Sequence, residues 1–231
     1  MIQTEGIFVG GSAISAPIIG EDFNWTGGDG TYQVLDDGGG NWRIKLLSSG
    51  TFTPLKNMVI DVFLVGGGGG AGSSYCGEGG AGYTTTVRSV VLTANTAYSI
   101  VVGAAGTNGN PSSAGGETTA FTASAAGGKN TSNGTSSSKR PGGAGYVSPV
   151  ATTTGGTDGG DGTSSATTGG KGQGTTTREF GEADGTLYAS GGGSNLTATV
   201  SNSGNGGRNG ITSIEPADGI VVIRQHKEVA A

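Results

Sequence analysis

The chain has 231 residues, a length that fits one large domain or two small ones. Gly supplies 51 of them and Ser plus Thr 53, while the formal net charge is only −5 with 13% charged residues. Charge repulsion therefore cannot hold the chain open. A single cysteine, Cys76, excludes an internal disulfide framework. No apolar run approaches transmembrane length, the opening MIQTEGIFVGG has no signal-peptide pattern, and scattered charge gives no basic face for nucleic acid.

In chain order, residues 1–40 contain two strand-like stretches, GIFVGG and TYQVLDD. Trp42 to Leu47 reads as a strand, and SGTFTP as a turn punctuated by Gly50 and Pro54. Met58 to Val65 (MVIDVFLV) is a continuous apolar strand, as expected for burial on both faces. Tyr83 to Leu92 and Ala97 to Val102 read as a hairpin across TAN. Ile220 to Arg224 is a closing strand, and no capped amphipathic helix pattern occurs anywhere.

Residues 103–210 hold only 7 of the 42 Leu, Ile, Val and Phe residues but 29 glycines. Burial of seven large apolar side chains, roughly 1.5–3 kcal/mol each, cannot order so long a segment. Either that stretch is a flexible linker or backbone hydrogen bonds replace the oily core. The Gly clusters recur every 11–20 residues, some with period three, such as Gly156, Gly159 and Gly162. Period three is the repeat of an extended three-fold helix, and only Gly fits where such helices crowd together. The fold expected is all-β and irregular: a β-rich platform carrying a sandwich of short polyglycine-II-type helices. The divisions expected are an N-terminal segment over 1–40, a glycine-rich domain over 41–224 and a tail over 225–231.

Segments MVIDVFLVGGGGGAG, GGAGYTTTVRSVVL, AYSIVVGAAG, TTTREFGEADGTLYASGGG and DGIVVIR, in this order, resemble the glycine-rich domain proteins of Firmicutes and their prophages. A more distant similarity is to the glycine-rich adhesins at the tips of T-even-type long tail fibres. The resemblance implies a virion protein, made in the host cytoplasm, that binds a bacterial surface glycan or outer-surface protein. Its N-terminal region would dock on a tail-fibre or other virion protein. Fibre proteins are often trimers and those adhesins monomers, so a homotrimer stays open. The alternative is a structural virion component such as a head fibre, spacer or decoration protein.

Candidate chemistry is sparse. Gly66–Gly72 contains GxGxxG after a strand, but no helix pattern follows, so no cofactor is expected. Asp158 and Asp161 in a Gly turn lack the register of a calcium repeat, so no metal is expected. Glu179, Glu182 and Asp184 read as a surface charge cluster rather than a glycosidase pair. His226, the only histidine, lies near the C-terminal end and assembles no obvious nucleophile system, so no enzyme is expected. Binding by polar loops remains. The candidates are Tyr75, Asn108, Asn110, Lys129, Asn130, Asn133, Lys139, Arg140, Tyr146, Asn195 and Asn202, with Tyr75 and Tyr146 as aromatic anchors.

Overall fold

A computed structural model describes residues 17–72, 78–131, 178–192, 200–208 and 213–226. Ten strands follow in order: β1 (Phe23–Trp25), β2 (Tyr32–Gly38), β3 (Asn41–Leu46), β4 (Gly50–Pro54), β5 (Met58–Val65), β6 (Thr84–Leu92), β7 (Tyr98–Val101), β8 (Thr118–Ala120), β9 (Ala123–Ala125) and β10 (Ile220–Gln225). They form two five-stranded antiparallel sheets. The first has the order β1-β4-β7-β8-β9, the second β2-β3-β10-β5-β6. Among the described residues, helix is limited to a three-residue 3-10 turn at Glu179–Gly181, and no helix is long and apolar enough to cross a membrane.

The period-two alternation of strand side chains sets the layers. Ile60, Val62 and Leu64 of β5, Val221 and Ile223 of β10, and Ile44 and Leu46 of β3 face the first sheet, where Phe23, Phe52 and Ile100 meet them. Phe23 and Phe52 stack with ring centroids 5.2 Å apart. Phe63, Val65, Ile220 and Val222 point the other way, under Phe180, Tyr188 and Ala189 of a strap formed by residues 178–192. Burial on both faces explains why MVIDVFLV lacks alternation.

Two expectations are corrected. SGTFTP is not a turn: Gly50–Pro54 is β4, paired with β1 and β7. Phe52 and Pro54 are both buried there, and Pro54 stands at the strand's end, where it interrupts least. Nor do β6 and β7 form a hairpin. Thr93–Thr96 carries the chain from the edge of the second sheet to the middle of the first. Both strands are thus used, in different layers. Residues 17–40 contribute one strand to each sheet.

Beyond β5 the chain enters a different kind of order. The amides of Gly66 and Gly69 donate to Tyr83 O and Gly80 O, those of Gly67 and Gly70 to Gly116 O and Ser113 O, and that of Gly68 to Ala217 O. Carbonyls follow the same rhythm. Gly67 and Gly70 accept from Gly128 and Thr131, Gly68 and Ala71 from Gly106 and Gly109, and Gly69 from Gly207. A pleated ladder sends its bonds sideways with period two. Here the partner changes with period three, so Gly66–Gly72 is surrounded on all sides. Its neighbours are the segments 79–83, 126–131, 113–116, 103–109, 214–219 and 203–207. These bond to one another in that order, through Gly80–Lys129, Gly115–Gly128, Gly116–Ala104, Gly219–Gly103, Ala217–Asn205 and Gly79–Gly207, and so close the ring. A Cβ on Gly67, Gly68 or Gly70 would overlap the carbonyls of Ala104, Asn205 or Thr107, backbone walls that cannot move aside.

The bundle stands on one end of the sandwich. β5 runs into Gly66, β7 into Gly103 and Gly219 into β10. At the opposite end Leu55 N donates to Asp22 O and His226 N to Val59 O. Pro17 and His226, the described residues nearest the chain ends, therefore share the pole away from the bundle.

Candidate functional site

The far end of the bundle is where the central strand runs out of glycine neighbours, and polar side chains take over the hydrogen bonding. Ala71 N donates to Asn108 Oδ1 at 2.8 Å, and Gly72 N to Thr131 Oγ1 at 2.7 Å. Asn108 Nδ2 in turn donates to Ile214 O at 2.9 Å and Arg208 O at 3.1 Å. A carboxamide carries the same donor and acceptor as a peptide unit, so Asn108 substitutes for a missing strand. Asn130 Nδ2 ties Ser112 O at 2.8 Å in the same way. Asn108, Asn130 and Thr131, which stand between short Gly runs, thus have a local reason.

Of the residues singled out in the sequence, Asn108, Asn110, Lys129 and Asn130 come together at this distal end; Asn110 and Lys129 are exposed. Asn202 lies elsewhere. It has φ 53°, and its Nδ2 donates to Leu47 O and Gly219 O where the bundle meets the sheets. Tyr75, Asn133, Lys139, Arg140, Tyr146 and Asn195 fall outside the described residues, as do Cys76, Asp158 and Asp161. The chain leaves the described residues at Gly72, Thr131, Gly192 and Arg208. Gly72 and Thr131 are hydrogen-bonded, Asn108 joins Ala71 to Arg208, and Gly192 N donates to Gly79 O beside Gly207. These exits lie toward the bundle's far end, while the chain re-enters the described residues at Arg178, in the strap over the sheet, and at Val200, beside Ser203 where the bundle meets the sheets.

A second cluster escapes sequence reasoning. Glu179 is not part of a surface charge cluster: it is 2% exposed, on the strap's inner side. Arg43 Nη1 donates to its Oε1 at 2.5 Å, Tyr188 OH donates to its Oε2 at 3.0 Å, and Lys45 Nζ lies 3.5 Å from Oε2. Arg43 also holds Asp37 in a bidentate pair. Arg224 spans from Glu182, at 2.7 Å, to Asp61, and stacks on Phe180 with its guanidinium 4.0 Å from the ring centre. These pairs join residues up to 163 positions apart, so no local motif announces them. A cleft of about 290 Å³ opens beside them, lined by Asp37, Arg43, Glu179, Glu182, Asp184 and Arg224 among others. A hydrolytic carboxylate pair must turn both groups to a substrate. Glu179 is instead turned onto Arg43, Lys45 and Tyr188.

Asp61, fully buried, is the hub of the same network. Arg88 and Arg224 donate to its Oδ2, and Ser89 N and His226 Nδ1 stand at its Oδ1, the latter at 2.7 Å. Burial pushes the Asp61 carboxyl up, but His226, the Ser89 amide and Arg224 outweigh that and hold it below the ordinary carboxylate value. His226 therefore belongs to a built cluster. Ser89, with φ 58°, completes a Ser-His-Asp set in composition. Its Oγ is 3.2 Å from His226 Nε2 and 3.5 Å from Nδ1. An oxygen on the Nε2 lone-pair axis would be much farther from Nδ1. The hydroxyl lies over the ring, so no in-line proton transfer is set up. The cluster instead pins β10 to β5 and β6.

Fold and site together define a glycine-rich β-protein in which a sandwich supports a backbone-bonded bundle. The chain belongs to the glycine-rich domain family, whose model matches residues 47–224. The match starts just after β3, and no curated protein matches the chain.

Proposed function

We propose that this protein is a phage or prophage tail-fibre tip adhesin. It binds a bacterial surface glycan or outer-surface protein through loops on a polyglycine-II-type bundle. The observation that carries this reading is polarity. Pro17 and His226 stand at one pole, while the chain leaves the described residues at Gly72, Thr131, Gly192 and Arg208 toward the other, the stretches 132–177 and 193–199 returning at Arg178 and Val200 beside the sheets. The segments so attached carry Tyr75, Asn133, Lys139, Arg140, Tyr146 and Asn195. A rigid support from which polar segments depart at the end remote from Pro17 and His226 suits recognition. The N-terminal region then docks on the fibre, in a virion. The period-three exchange of partners along Gly66–Gly72 supports the polyglycine-II assignment.

Purified protein should pull down host cells, and grafting the stretch 132–177 between relatives should change which strains are bound. No binding to any susceptible strain rejects the reading. One observation favours the second reading, a structural virion component: Asn108 and Asn130, two of the distal candidates, spend their amides on holding the bundle. In that case the same graft leaves host range unchanged.

A further inference from the structure

We propose that Asn108–Gly109 is a deamidation site that the folded bundle keeps latent, so that its conversion records opening of the distal end. Asn is a thermolabile residue, and a following Gly leaves the attacking nitrogen uncrowded. The Gly nitrogen, its proton lost to base, attacks the Asn side-chain carbon. A C–N bond forms, the bond to Nδ2 breaks, and Nδ2 leaves as ammonia, taking up a proton. Water then opens one of the two C–N bonds of the cyclic imide and yields aspartate or isoaspartate. The sum is amide plus water to acid plus ammonia, with no oxidant or reductant.

In the folded chain both reacting groups are held. Gly109 N donates to Ala71 O at 3.0 Å. The carboxamide of Asn108 is fixed by Ala71 N, Ile214 O and Arg208 O. Attack must therefore wait for the last rung of the bundle to open. Of the three other Asn-Gly pairs in the sequence, Asn205–Gly206 lies among the described residues and supplies an internal comparison. Asn205 is 7% exposed, its Oδ1 accepts from Ser190 N at 2.8 Å, and Gly206 N donates to Ser190 O at 2.8 Å. That pair sits within the ring, whereas Asn108 is part-exposed at its end. Opening from the end frees Asn108 first. The product also prevents closure: aspartate has no N–H for the two carbonyls, and isoaspartate lengthens the backbone and displaces Gly109 from Ala71.

The test is incubation of the full chain at mildly alkaline pH, native and in urea, with peptide mapping by mass spectrometry. In urea the two asparagines should convert at rates within about threefold of each other; in the native protein Asn108 should slow by at least about tenfold, and Asn205 by more. Equal native and urea rates at Asn108, or conversion of Asn205 ahead of Asn108 in the native protein, would overturn the proposal.

Discussion

Asp61 shows what a single residue does in this fold. It interrupts the apolar run of β5 as a fully buried carboxylate, tolerable only because Arg88, Arg224, His226 and the Ser89 amide surround it. Asp61→Asn leaves Arg224 buried with one partner fewer, and urea unfolding should show a loss of about 3–5 kcal/mol. The pH dependence has a definite sign. With the folded carboxyl held below its ordinary 3.8, the contribution of Asp61 is complete above that value and is lost as pH falls through the lower folded value. Wild type should therefore lose more stability than Asp61→Asn between about pH 5 and pH 2. Equal losses would contradict the account. Tyr188 has the opposite sign. Burial first, then the charge and hydrogen bond of Glu179, push its phenol well above the ordinary 10.0. Its contribution is full below 10.0 and lost as pH rises through the folded value. The tyrosinate absorbance of the folded wild type should match that of Tyr188→Phe at about pH 11. An extra tyrosinate there would show the phenol to be unshifted.

Elements differ in how plainly the sequence states them. β3, β5 and β10 are legible because large apolar residues crowd together, and their own burial dictates a strand. β4 is hidden because Gly50 and Pro54 flank only three residues that look like a strand. The pairing of β6 is hidden for another reason. The TAN turn permits a hairpin, but Val90, Val91 and Leu92 find their partners on β5, so contacts distant in sequence decide the layer. The strap is illegible for the same cause, since Arg43 and Glu179 are 136 positions apart. The glycine strand is legible in composition, while its period of three becomes meaningful only through partners from six separate segments. At this scale Gly68→Ala, whose new methyl would overlap Asn205 O, should destabilise by about 1–3 kcal/mol or more, read from the urea midpoint. A neutral effect would mean the segments are not packed backbone to backbone.

The whole molecule divides its order between two sources of stability. The sandwich is held by side chains in two apolar clusters, one between the sheets and one under the strap. The bundle has almost none, and rests on backbone bonds worth roughly 0.5–1.5 kcal/mol each, anchored where β5, β7 and β10 meet it. That division explains how a chain so poor in oily residues can hold ordered backbone far from the pole of Pro17 and His226, which the proposed adhesin requires. Amide hydrogen exchange along Gly66–Gly69, inside the distal rung of Ala71 and Gly72, tests this most directly. These amides should exchange as slowly as those of β5 and β10, through global unfolding. Exchange at the rate of an unstructured glycine peptide would contradict it.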